Sequence, residues 1–232
     1  EIGLQGIQLS FNTTDNERGL ADAATLRAMQ QAASQTGIVI SSLAIGELNR
    51  VPYKSEPITE EWVWQSVEAA NELRAPVVLL AFFSKGDLRA DEWGKAQVVE
   101  RLKKVAPFAE KKGIILGIES YLSAEEQLAM IEAVGSKAVK VYYDFRNAAD
   151  AGYDIYHEIA LLGREHICEI HMKENGQRLG HGSLDWRRIA EALNKIGYSG
   201  WMQIEGSTKK GEPLVEEHRQ NRHFLEGLFS FS

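Results

Sequence analysis

The sequence of 232 residues contains one cysteine, Cys168, which excludes an internal disulfide framework and fits a reducing compartment. It has no apolar run of transmembrane length and shows no signal peptide, so a cytoplasmic protein without a membrane partner is expected. The sequence begins at Glu1 rather than Met, so any leader would lie upstream. Basic charge is also scarce. Lys and Arg number 26 against 33 Asp and Glu, a net charge of −7. The cations are scattered, as in RLKK and EKKG, on what read as helix faces, and not gathered into the positive stripe that nucleic acid requires. No Pro- or Ser-rich linker breaks the chain, and neither a Walker nor a dinucleotide fingerprint is present. What remains is an ordinary globular composition, 44% hydrophobic and 25% charged, sufficient for a real core.

Strand-like and helix-like segments alternate throughout. Apolar, partly β-branched runs at 6–11, 37–44, 76–83, 113–119, 138–144, 166–173 and 200–206 read as strands. Segments at 20–36, 58–74, 91–112, near 123–134, near 153–163, after Asp185 and at 212–229 read as helices. Their inward faces are marked by Leu26, Met29 and Ala33, by Val63, Val67, Ala70 and Leu73, by Val98, Leu102, Val105 and Ala109, and by Trp186, Ile189, Leu193 and Ile196. Gly37, Gly113 and Gly197 follow helices as C-cap glycines do, and Ser183 or Asp185 can cap the helix that starts at Trp186. Seven βα units without a linker predict one α/β domain over residues 1–232 with a parallel sheet. A (β/α)8 TIM barrel is expected, its first strand and helix lying upstream of Glu1.

Four residues stand where an inferred strand runs into a loop: Glu119, Asp144, His171 and Glu205, at intervals of 25, 27 and 34 residues. A barrel brings such strand ends together at its C-terminal face. Side chains alternate across a strand, so Glu169, His171 and Lys173 share one face while Cys168, Ile170 and Met172 share the other. The same parity places Gly117 with Glu119, Tyr142 with Asp144 and Gln203 with Glu205, the lower residues forming a layer able to orient the upper ones. Any one of these residues alone is adequately explained as a loop cap or a structural ion pair. Four at matching parity on successive strands point to a joint site. Three carboxylates buried together need a cation or protons to neutralise them, and the set suits a divalent ion.

GIES with Glu119, VYYDFRN with Asp144, IHMKE with His171, LGHGSLDW at 179–186 and QIEG with Glu205 resemble the xylose isomerase-like TIM barrels, the sugar phosphate isomerase/epimerase superfamily. The resemblance runs from about residue 5 to the end. It implies one metal ion, Mn2+ or Mg2+ with Co2+ or Zn2+ as alternatives, held by Glu119, Asp144, His171 and Glu205, with the two glutamates also serving as catalytic acid and base. It implies a small carbohydrate substrate and allows a homo-oligomer. Three positions depart from the ketose 3-epimerase pattern. Asn147 stands where those enzymes have a substrate-binding His, Arg178 is one residue out of register with their Arg, and Gln8 stands where many members carry Glu. The endonuclease IV branch needs extra metal-binding histidines. This chain has six His in all, and His157, His166, His218 and His223 fall on or beside helices. Lys173 and His181 are further candidates for substrate contact, each with a plainer alternative: an ion pair with Glu169 for Lys173 and a solvated loop for His181. Trp62, Trp64, Phe82 and Phe83 read mainly as core, with a sugar-stacking surface near Phe82 and Phe83 as the alternative. The expected activity is a metal-dependent isomerase or epimerase of a sugar or keto-sugar, working through a metal-stabilised enediolate. A dehydratase or keto-glycoside lyase on the same site and a non-catalytic sugar-binding barrel are the rivals.

Overall fold

The structure, a computed structural model, describes residues 2–11 and 19–229. Its strands are β1 (Gly6–Ser10), β2 (Val39–Ile45), β3 (Val77–Phe82), β4 (Ile115–Ser120), β5 (Val139–Asp144), β6 (Ile167–Lys173) and β7 (Met202–Glu205). The helices are α1 (Ala23–Thr36), α2 (Ile58–Leu73), α3 (Glu92–Lys112), α4 (Ala124–Val134), α5 (Phe145–Asp150), α6 (Ile155–His166), α7 (Trp186–Ile196) and α8 (Leu214–Glu226). The sheet follows chain order from β1 to β7. The pairs from β1 through β5, and β6 with β7, are parallel. Sequential order is the signature of the (β/α) barrel and excludes a doubly wound sheet, whose order reverses at a switch point.

Contacts divide the chain into two compact units, Gln5–Tyr142 and the segment from Tyr143 onward with residues 2–4. In the first unit the apolar faces of α2 and α3 meet the sheet as their spacing predicts. Val63, Val67, Ala70, Val98, Leu102, Val105 and Ala109 are all fully buried. β3 is buried at every position, as expected of a strand covered on both faces. Helix α1 differs. Leu26, Met29 and Ala33 pack on the core, but no residue of α1 is fully buried. In the second unit α7 buries Trp186, Ile189, Ala190 and Leu193, while Ile196 is only half-buried.

Local signals set the element ends. Gly37, Gly113 and Gly197 take φ of 72°, 71° and 67°, a left-handed conformation that costs glycine little and closes the preceding helix. Asp185, not Ser183, caps α7 by accepting from the Arg188 N–H. Glu126 completes a capping box with Ser123 at the start of α4. Among the described residues no helix is long and apolar enough to cross a membrane. Leu102 is fully buried in the core of the first unit. Leu102→Ala should cost about 2–5 kcal/mol in urea unfolding of the full chain, because the cavity left behind collapses only in part.

Candidate metal centre

Asp144 is the last residue of β5 and caps α5. Its Oδ1 accepts from the N–H groups of Arg146 at 2.7 Å and Asn147 at 2.9 Å. That helix start fixes the carboxylate, and its other oxygen, Oδ2, lies 4.0 Å from His171 Nδ1 and 3.5 Å from Lys173 Nζ. The register of β6 with β7 sets His171 beside Gln203 and Lys173 beside Glu205. Glu205 Oε2 accordingly lies 3.5 Å from His171 Nδ1 and 2.8 Å from Lys173 Nζ. Burial pushes the Glu205 carboxyl upward, but His171 and Lys173 outweigh it and hold the group below its ordinary value. At the alternate positions of β6, Ile170 and Met172 are fully buried and Cys168 is half-buried. In the other unit, Glu119 is the penultimate residue of β4, with Ala81 of β3 beside it, and is 5% exposed.

Among the described residues, one ligand atom from each of Glu119, Asp144, His171 and Glu205 lies within 4.8 Å of all the others. An ion bound at about 2.0–2.4 Å holds opposed ligands up to about 4.8 Å apart, so the spacing fits a single ion. The chemistry fits as well. Asp144 and His171 are 4% and 3% exposed. Two carboxylates this dry, Asp144 and Glu119, are tolerated near the half-exposed Glu205 when a cation neutralises them. Three hard oxygen ligands and one imidazole suit a divalent ion such as Mn2+ or Mg2+.

A polar layer lies one strand step below. Glu169, fully buried, accepts from Gln203 Nε2 at 3.0 Å. In the first unit Gln8 Nε2 donates to Ser42 Oγ at 2.9 Å and to the Tyr142 hydroxyl at 3.0 Å. Gln8 therefore has a seat in the sheet layer. Asn147 is buried at the start of α5. His181 is exposed on the loop after β6, its N–H bonded to the Arg178 carbonyl. The Arg178 guanidinium is held by Glu217 of α8. His157, His166, His218 and His223 all lie on helices.

Sequence reasoning missed the frame that holds the loops after β6 and β7. Glu174, 2% exposed, accepts from the Trp186 indole N–H at 2.9 Å, and its own N–H donates to Ser207 Oγ at 2.8 Å. Gly182 packs against it, and a Cβ there would stand 1.9 Å from Glu174 Oε2, so a larger residue would have to displace that carboxylate. Asn221 accepts from the Leu179 N–H at 2.9 Å and donates to the Ser207 carbonyl. Glu217 accepts from the Lys209 N–H at 2.7 Å as well as from Arg178. The Lys209 N–H, followed by Arg178, holds the Glu217 carboxyl below its ordinary value. A depressed folded value means that this contribution to stability is complete above the unfolded carboxylate range and is lost as pH falls through the folded value. Glu217→Gln should therefore lower Tm across neutral and alkaline pH and flatten the acid limb of a Tm-against-pH profile, so that the two profiles converge at low pH. A cleft of about 750 Å3 in the first unit is lined by Val39, Ile40 and the C-terminal ends of α1 and α2. It lies at the start of β2, the strand end opposite to that carrying Glu119 on β4, and holds none of this chemistry.

The sequence pattern of the xylose isomerase-like TIM barrel family matches residues 1–228. Over 143 residues the chain is 26% identical to a D-psicose 3-epimerase of Enterocloster bolteae, covering 58% of this chain and 47% of that one. Over 140 residues it is 32% identical to an L-ribulose 3-epimerase of Mesorhizobium japonicum, covering 55% and 44%. The chain thus spans about half the length of the curated relatives it matches. Among solved structures, the apo 3-keto-D-glucoside 4-epimerase of E. coli superposes with a TM-score of 0.82 at 14% identity, over 97% of this chain and 90% of that one. A D-psicose 3-epimerase crystallised in the presence of D-fructose gives 0.81 at 20% identity, over 98% and 90%. At such identities the likeness speaks to the fold. With the family pattern spanning nearly the whole sequence, the chain belongs to the xylose isomerase-like TIM barrel family.

Proposed function

We propose that the chain is a divalent-metal-dependent isomerase or epimerase of a sugar or keto-sugar. The observation that carries this is the cluster of Glu119, Asp144, His171 and Glu205, which combines a metal-sized ligand set with two glutamates. The sugar epimerases among the relatives support the same reading. A divalent ion held by these residues would supply Lewis-acid stabilisation of charge on the substrate carbonyl. Of the two glutamates, one takes the proton from the carbon beside the carbonyl and the other returns one to the planar enediolate. Return from the opposite face inverts that carbon. Asp144, oriented by its cap, and His171, which would ligate through its neutral form, complete the ligand set.

Lys173 is assigned to the substrate. Its ammonium stands at the carboxylates of Glu205 and Asp144, where it can donate to a sugar oxygen. Lys173→Met should raise KM about tenfold, the loss of a charged hydrogen bond, while metal affinity changes by less than about threefold. Steady-state kinetics alongside a metal titration separate this from a purely structural counter-ion, which would shift metal affinity and leave KM alone. His181 and Asn147 remain candidates for substrate contact. Arg178 and Gln8, seated on Glu217 and on Ser42 with Tyr142, act in this reading through the loops and strands they hold.

The test is incubation of the Mn2+-loaded protein with ketoses, keto-glycosides and inososes in D2O. Deuterium entering at the carbon beside the carbonyl, with an isomer or epimer formed, supports the proposal. Loss of a β-substituent after the same exchange identifies a lyase or dehydratase. Saturable binding without exchange on any sugar identifies a binding protein.

A further inference from the structure

In the first unit, a second group of side chains lies just beyond Glu119. The register of β3 with β4 sets Phe82 beside Ser120, so the next residues, Phe83 and Tyr121, are neighbours. Their rings meet edge to face with centroids 4.8 Å apart. Phe82 is 1% exposed and faces Tyr53, so it is core, whereas Phe83 and Tyr121 are only half-buried. The Arg89 guanidinium lies over the Tyr121 ring, 4.5 Å from its centroid, and is gripped by Asp87 through Nε and Nη2.

The loop that presents Arg89 is rigidly set. Leu88 is fully buried, and Lys54 Nζ donates to the Asp87 carbonyl and to Asp91 Oδ2, each at 2.7 Å. Gly86 packs where a Cβ would stand 2.8 Å from the Leu48 carbonyl oxygen. Ser84 and Ala90 are not glycines, yet they take φ of 51° and 52°. Such conformations are uphill, and they persist where the surroundings impose them, often beside ligands. Two aromatic rings, a flat guanidinium and a carboxylate thus form a preorganised surface. It begins two residues past Glu119, about 7 Å along the chain.

The chemistry of this surface suits a sugar ring. A pyranose offers a face of C–H bonds to an aromatic ring and equatorial hydroxyls to a guanidinium and a carboxylate. A phosphate is a poor match, because Arg89 and Lys54 are already neutralised by Asp87 and Asp91. We propose that Phe83, Tyr121 and Arg89 form a subsite for a second sugar ring, which makes the substrate a glycoside of a keto-sugar in preference to a free ketose. This rests on Glu119 belonging to a sugar-converting site.

The test is calorimetric binding to the metal-loaded full chain, with methyl β-cellobioside, methyl β-glucoside and glucose 6-phosphate as probes. The disaccharide should bind about tenfold more tightly than the monosaccharide, and the phosphate no more tightly than the monosaccharide. Tyr121→Ala should abolish the disaccharide's advantage, and Tyr121→Phe should keep it. Arg89 has a half-exposed side chain, so Arg89→Ala keeps the test available should Tyr121→Ala fail to fold by circular dichroism. It should reduce the same ratio. Equal affinity for the two glucosides, no saturable disaccharide binding, or a tighter phosphate overturns the subsite. Binding is read without turnover, so the two proposals fail separately. Isotope exchange on free ketoses with no disaccharide preference removes the subsite alone. A disaccharide preference with no exchange on any sugar removes the reaction alone.

Discussion

Glu119→Gln and Glu205→Gln should each lower turnover by about two to four orders of magnitude, the range for loss of a positioned acid or base. Each change keeps the side chain's size and removes both a ligand charge and a proton-transfer group. Glu119 is the penultimate residue of β4 and Glu205 the last of β7, and the proposed mechanism assigns one glutamate to each face of the enediolate. The measurement is kcat at saturating metal, so that weakened metal binding does not pass for lost chemistry. A fall of less than about threefold in both variants would remove the two-base assignment, since a base in direct use is worth far more.

His171→Ala should weaken metal binding by about 100-fold or more, since even residues that only orient a ligand are worth about 10–100-fold. His171 is 3% exposed and its ring nitrogen lies within 4.0 Å of both Asp144 and Glu205, so no other nitrogen ligand replaces it within the cluster. Removing it leaves three carboxylates, two of them, Asp144 and Glu205, paired with Lys173. The variant should recover part of its turnover at high metal concentration, because both glutamates remain. Equilibrium dialysis against Mn2+ gives the affinity directly. Unchanged affinity would take His171 out of the ligand set.

The clustering of the four candidate ligands was legible in the sequence because strand parity is a strict code. A residue two positions from another on a strand shares its face, so His171 fixed the side of Glu169 and Lys173, and the apolar run of Ile170 and Met172 fixed which side faces the helices. The C-cap glycines were legible for a similar reason, since Gly is the residue that tolerates a left-handed φ. Helix α5 was missed. Six residues, FRNAAD, carry too little periodicity to announce a helix, and the signal that starts it, Asp144, had been assigned to the metal. In the structure Oδ1 serves the cap, while Oδ2 faces His171 and Lys173. The frame of Glu174, Ser207, Glu217 and Asn221 was also hidden. Glu217 and Asn221 sit four residues apart on α8 among EEHRQNRH, where neighbouring charges look the same in sequence and only contacts between distant loops reveal which are buried. Phe82 and Phe83 could not be told apart for the opposite reason. Both are apolar, and the end of β3 falls between them, so one enters the core and the next leaves it.

The central claim is that Glu119, Asp144, His171 and Glu205 share one ion. Anomalous diffraction from crystals of the Mn2+-loaded protein measures this directly. One strong peak should lie about 2.0–2.4 Å from an oxygen or nitrogen of each of the four side chains. A peak elsewhere, or one that leaves any of the four side chains uncoordinated, would contradict it.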